Sequence, residues 1–142
     1  MLVTQKNQYA LRAIFELAKH RGKGLRKISD IAQAQHIPLR FLEVILSQLK
    51  RSGLVESKRG YTGGYELLLP PEQITVGAVF RFGGKDTVPV DCIACISRSK
   101  CPSRTKRACA FMPMWKKVQD SIFDIYDTTT IADLLAQEKE NA

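Results

Sequence analysis

The sequence predicts a mainly α protein with a small β-hairpin wing, that is, a winged helix-turn-helix domain plus a long C-terminal dimerisation helix. Three observations predict it. Two short amphipathic segments, ISDIAQAQ and PLRFLEVILSQLKRSG, are separated by a turn at His36-Ile37-Pro38, which is a helix-turn-helix pattern. A basic, glycine-containing stretch, KRGYTGG, then joins two short strand signals, LVES and YELLL. Near the C-terminus an apolar stripe recurs every three or four residues, as an interhelical seam requires.

Each element has a local reason. From Gln8 to Arg21, residues Ala10, Ala13, Ile14, Leu17 and Ala18 share one helical face, with Arg12, Glu16 and Lys19 on another, and Gly22 and Gly24 end the run. The second helix turns Ile28, Ile31 and Ala32 inward and starts at Ser29 or just before it. Pro38 cannot donate to a preceding helical turn but suits the first turn of a new helix. The third helix carries Leu42, Ile45, Leu46 and Leu49 as its stripe, exposes Arg40, Glu43, Ser47, Lys50 and Arg51, and ends at Gly53. Pro70-Pro71 stops the returning strand. ITVGAVFRF predicts a short helix opened near Thr75. The long helix runs from about Phe111 to Asp127, regular from about Pro113, with Phe111, Trp115, Val118, Ile122 and Ile125 in line. TTTIADLL opens a last short helix, and AQEKENA reads as a frayed tail. The expected organisation is a DNA-binding domain over 1–84, a cysteine-containing cofactor loop over 85–110, and the dimerisation helix and tail over 111–142.

Charge narrows the function. The chain has 142 residues and a net charge of +8. Residues 1–64 hold twelve Lys or Arg against four acids, whereas residues 65–142 hold ten of each, so the whole excess lies in the first half. That half is the one suited to a polyanion. The third helix is slim enough for the major groove, where Arg40 could grip guanine and Glu43 could accept from cytosine N4, with Ser47 beside them. Lys58 and Arg59 at the wing tip would reach the backbone or minor groove, and Gly60, Gly63 and Gly64 permit close approach to phosphate. Lys6, Lys50 and Lys58 are assigned to phosphate, contributing affinity without sequence information. The same basic residues on a protein-docking domain would be solvated surface; their confinement to one half argues for double-stranded DNA. The long helix could bury Trp115 against its own domain, but two half-sites on DNA match a two-fold dimer, so a homodimer on a near-palindromic operator is expected.

No apolar run reaches the roughly 20 residues needed to span a bilayer, and the N-terminus lacks the pattern of a secretory leader. A cytoplasmic protein with no membrane partner is expected. There, clustered thiols are more often a metal or redox site than a disulfide framework. All four cysteines, Cys92, Cys95, Cys101 and Cys109, fall within eighteen residues with five Lys or Arg and no acid, in the spacing C-x2-C-x5-C-x7-C. Thiolates suit zinc and iron–sulfur clusters. Only Cys92 and Cys95 form a zinc-type knuckle. The basic residues favour thiolates and would offset a thiolate-bound cluster. Spacing alone leaves an iron–sulfur cluster, zinc and a thiol switch open.

YALRAIFELA, the stretch from ISDIAQAQ through RGYTGGYELLLP, and a cysteine loop leading into FMPMW together resemble the Rrf-two family of bacterial winged-helix regulators, over nearly the whole chain. The resemblance implies a dimer whose DNA binding responds to an iron–sulfur cluster held by three loop cysteines. Carried over, Cys109 is the last of these, Cys101 the middle one, and Cys95 or Cys92 the first. The interval between Cys101 and Cys109 is two residues longer than the family's common pattern, and one cysteine is extra. The fourth ligand of sensing relatives is a His, where this chain has Met112, or an Asp of the partner subunit, where it has Gln8. Cys92 could fill that vacancy. The resemblance and the helical wheel agree on Arg40, Glu43, Ser47, Arg59 and Gly60 for DNA.

The expected function is therefore a homodimeric transcription regulator whose operator binding is gated by a cysteine-ligated cluster. The alternative is a winged-helix repressor with zinc or no metal, answering to thiol oxidation or a partner protein. An enzyme, such as a thiol oxidoreductase built on Cys92 and Cys95, is not expected, because that pair lacks a strand-to-helix setting.

Overall fold

The computed structural model describes residues 3–82 and 110–142 of the chain. The four cysteine positions named above lie outside the described residues.

Helix α1 spans Gln5–Lys19, and the Thr4 side chain caps it by accepting from the Asn7 N–H at 3.2 Å. That cap starts the helix three residues before the apolar periodicity becomes visible. Gly22 and Gly24 adopt φ of +82° and +91°, which turns the chain toward α2, Ile28–Gln35. His36 takes a left-handed conformation at the end of α2, and the Ile37 N–H closes the turn onto the Ala32 carbonyl at 2.9 Å. Pro38 then delivers the chain into α3, Leu39–Arg51. Its apolar stripe, Leu42, Ile45, Leu46 and Leu49, is buried as the sequence predicts.

The wing is an antiparallel pair, β1 (Val55–Lys58) and β2 (Gly64–Leu67), in the register Val55 to Leu67 and Lys58 to Gly64. A third segment, unforeseen, completes it: Arg26 exchanges both backbone hydrogen bonds with Tyr65, at 2.9 and 2.8 Å. After a 3₁₀ turn at Pro71–Gln73, Thr75 caps α4, Val76–Phe80, by accepting from the Ala78 N–H at 3.0 Å. The long helix α5 covers Met112–Thr128, and α6 covers Ile131–Glu140. Thr130 and Asp133 form a reciprocal capping box at the start of α6. Hydrogen bonds from Thr130 keep the Asp133 carboxyl below the usual carboxylate range.

One hydrophobic core joins these elements. Ile14, Ile31, Leu42, Leu46, Leu49, Val55, Ile74, Val79 and Ile131 are all fully buried in it. The last of these comes from α6, so the C-terminus returns to pack on α1. Backbone bonds from Val76 N–H to Thr129 O and from Ile131 N–H to Ile74 O, both 2.9 Å, stitch that return to the entry of α4.

Two local expectations change. Glu16 is not on a solvated face; it is buried, because its carboxylate receives Arg26 and Gln35. The presumed frayed tail is helical through Glu140, held by the Thr130 cap and by Glu138 against Lys19 at 3.1 Å. The long helix touches the domain at its C-terminal end. There Phe80 and Tyr126 meet edge to face at 4.9 Å, and Arg81 grips both oxygens of Asp127 at 2.6 and 3.0 Å. No residue of α5 is fully buried: among the described residues, Trp115 and Ile122 of its stripe are half-buried and Phe111, Val118 and Ile125 are exposed. Among the described residues, no helix is long and apolar enough to cross a membrane.

Candidate nucleic-acid interface

The geometry of α3 follows from its sequence period. With Leu42, Ile45, Leu46 and Leu49 directed into the core, helical spacing places Arg40, Glu43, Ser47 and Lys50 outside, and all four are exposed. The wing lies beside the C-terminal half of this helix. A hydrogen bond fixes that approach: the Lys50 ammonium donates to Ser57 Oγ of β1 at 2.8 Å. An ammonium group has three donors, so this bond uses one of them.

Between α3 and the wing runs an open groove. Ser47 and Lys50 form one wall, Ser57, Lys58, Arg59 and Gly60 the other, and the start of α2 closes one side with Lys27 and Ser29. Four cations line it and no carboxylate does. Such a one-signed concave surface concentrates a polyanion. The turn at the wing tip depends on glycine. Gly60 sits at φ +117°, and a Cβ on Gly63 would come within 2.9 Å of the Gly60 carbonyl oxygen, whose bond with the Gly63 N–H measures 3.0 Å.

Of the residues assigned to DNA from the sequence, five (Ser47, Lys50, Lys58, Arg59 and Gly60) meet around this groove. Arg40 and Glu43 stand earlier on the outer side of α3. Lys6 is set apart in the first turn of α1, its ammonium 5.4 Å from the centre of the Phe82 ring and beside Phe41 and Val44.

Sequence reasoning missed Lys27, Ser29 and Tyr61. Lys27 stands 5.1 Å from the centre of the Tyr61 ring, and that ring is 93% exposed at the wing tip. The α2 terminus has no side-chain cap, so the first N–H groups, at Ile28 and Ser29, have no capping side chain where they border the groove. The signal available was Tyr61 itself, an aromatic residue inside a basic turn. The contact with Lys27, thirty-four positions earlier, has no local signature. Among the described residues, no group of His, Cys, Asp or Glu could hold a metal ion.

Comparison with known proteins bears on the chain as a whole. Residues 3–137 match the family model described as "Rrf2: Iron-dependent Transcriptional regulator". The chain is 32% identical over 139 residues to the HTH-type transcriptional regulator IscR of Aliivibrio salmonicida, covering 98% of this chain and 80% of that one. The fold is similar to the solved structure of T. potens IscR at a TM-score of 0.79 and 30% identity, covering 99% and 90% of the two chains. It is equally similar to CymR, the global cysteine regulator of B. subtilis, at a TM-score of 0.79 and 30% identity, covering 96% and 98%. These proteins are named as regulators and not as enzymes. The chain belongs to the Rrf2 family, and it is a DNA-binding transcription regulator of winged-helix fold.

Proposed function

We propose that the chain acts in the cytoplasm as a homodimer on a near-palindromic operator, with α3 and the wing reading DNA and the cysteine loop setting affinity. The groove that unites α3, the wing tip and the α2 terminus under four cations carries this reading. Arg40, Glu43 and Ser47 contact base edges, while Lys6, Lys50, Lys58, Arg59 and Gly60 hold the backbone. The apolar side of α5, where Phe111, Val118 and Ile125 are exposed, supplies the two-fold seam. In this division 1–84 reads, 85–110 senses, and 111–142 pairs and returns.

The donor set of the loop fits an iron–sulfur cluster. Four soft ligands suffice for all-cysteine ligation by Cys92, Cys95, Cys101 and Cys109, and five neighbouring cations offset the resulting negative charge. When bound, the cluster supplies a redox- and nitric-oxide-sensitive centre. The chain's part is to hold the thiolates and to order residues 85–110 between α4 and α5. That ordering shifts the population of dimers whose reading heads match the operator spacing.

The second reading is a repressor with zinc or no metal, responding to thiol oxidation or a partner protein. The equal likeness to CymR, named as a cysteine regulator, favours it. Iron, sulfide and zinc per monomer in anaerobically purified protein, beside Cys101→Ser, separate the two. Iron with matching sulfide, lost in the variant, together with a difference in DNA affinity between loaded and apo protein, is expected. Zinc or no metal under those conditions removes cluster gating and leaves the second reading.

A further inference from the structure

We propose that Val44 is a specificity-determining residue that reads the 5-methyl group of a thymine in each operator half-site; this rests on α3 being the recognition helix. Val44 is 55% exposed although α3 has a well-filled core side. It stands four residues after Arg40, three before Ser47 and seven before Arg51, so these four share one strip along the outer side of the helix. All four are exposed, and the strip lies opposite the buried leucines and isoleucine.

An exposed valine at that point is costly to the helix. β-branched residues lose χ1 freedom in a helix, so its local propensity argues for almost any straight-chain residue instead. Its surroundings argue against a protein partner. Arg40 lies one turn before it and Arg51 two turns after it, and toward α1 it borders a small recess with Tyr9, Phe41 and Ile45 whose one charged residue is Lys6. Ser47 of the same strip opens on the groove lined by cations, and the one carboxylate nearby, Glu43, is itself assigned to a base edge. A surface of that charge faces a polyanion. Valine offers a base edge only two methyl groups, held in one rotamer. The apolar group displayed on a base edge in the major groove is the thymine C5-methyl. Its neighbours then divide the work: Arg40 and Ser47 take hydrogen-bonding edges and Val44 takes the methyl between them.

The test removes the methyl group of the thymine and, separately, both methyl groups of the valine. The full-length protein selects its best duplex from a randomised pool, and each thymine of one half-site is then replaced in turn by deoxyuridine, which lacks only the 5-methyl group. At one position the wild-type protein should lose about fourfold in affinity, the equivalent of one buried methyl. Val44→Ala should bind the thymine duplex several-fold more weakly and should no longer distinguish thymine from deoxyuridine there. Equal thymine-to-deoxyuridine ratios for wild type and Val44→Ala at every position overturn the proposal. So does a Val44→Ala protein that sediments as monomer with an unchanged ratio, which would assign the valine to a second copy of the chain. Arg40→Ala on the same duplex tests the underlying reading separately: if neither it nor Val44→Ala alters binding, α3 is not the reading helix.

Discussion

Arg26 Nη2 donates to Glu16 Oε1 at 3.0 Å while the backbone of the same arginine pairs in both directions with Tyr65 of the wing. One residue thus ties the buried carboxylate of α1 to the β2 strand that carries the basic tip. The second carboxylate oxygen accepts from Gln35 Nε2 of α2 at 2.9 Å, so three parts of the domain converge on Glu16. Such a charge is tolerated inside because both oxygens are occupied.

Removing Arg26 should therefore destabilise the protein more than an exposed ion pair would. The Arg26 side chain is 26% exposed and that of Glu16 10%, which places the pair between surface and interior. Arg26→Met is expected to cost about 2 kcal/mol in urea unfolding, below the roughly 3–5 kcal/mol of a fully buried broken pair. Pairing it with Glu16→Leu should recover part of that loss, because the uncompensated charge is gone. Strict additivity of the two changes would show that the pair does not couple.

Gly64→Ala probes the same joint from the wing. A Cβ there would lie 2.5 Å from the Arg26 carbonyl oxygen and 2.7 Å from its carbon, and backbone cannot yield at those distances without moving β2. Overpacking of this kind costs about 1–3 kcal/mol. The wing tip shifts with its strand, so DNA affinity should fall about tenfold or more. A variant that keeps wild-type affinity would show that the tip position is not set at this contact.

The helices and the hairpin were legible because their signals are local. Leu42, Ile45, Leu46 and Leu49 name the buried side of α3 by spacing alone, and KRGYTGG names the turn by its glycines. Thr75 caps α4 as its position near the predicted helix start suggested, and a threonine near the start of the last helix, Thr130, caps α6. Glu16 was misread for the opposite reason. Its partners, Arg26 and Gln35, lie ten and nineteen positions away, so a helical wheel sees only a charge flanked by other charges. Lys27 over Tyr61 is hidden in the same way. Val44 was passed over because an apolar residue among polar ones reads as noise until its exposure is known. The proposed metal ligands rest on cysteine spacing and family resemblance alone.

The junction between α4 and α5 should respond to acid. The hydrogen bond from Arg81 holds the Asp127 carboxyl below the usual carboxylate range; slight burial works against this and the arginine's charge adds to it. A carboxylate with a lowered folded pKa adds stability above its unfolded value, about 3.9, and that stability is lost as pH falls through the folded value. Both side chains are over 40% exposed, so the contribution is under about 1 kcal/mol. Asp127→Asn should thus be slightly less stable than wild type near about pH 6, with the gap closing toward about pH 3. A gap that stays constant across that range would show that Asp127 acts by packing against α4, where Gly77 leaves it room.

Salt dependence distinguishes backbone contacts from base contacts. Each phosphate neutralised by the protein contributes about 0.9 to the slope of log affinity against log salt. Lys58 and Arg59 are exposed at the wing tip, clear of the Lys50–Ser57 hydrogen bond that fixes the wing against α3. Lys58→Ala and Arg59→Ala should each lower the slope by about one, if each meets one phosphate, and should weaken related and unrelated duplexes alike. Glu43→Gln should behave oppositely. The glutamate removes no phosphate contact and repels the backbone, so its loss should leave the slope nearly unchanged or tighten non-specific binding, while discrimination between duplexes differing at one cytosine falls by a factor of about ten. Titrations of the selected duplex and a scrambled one, over about a fourfold range of salt, read both quantities. A slope unchanged in the wing variants would move the polyanion off the wing, and would leave the α2 terminus and Lys27 as the phosphate-holding side of the groove.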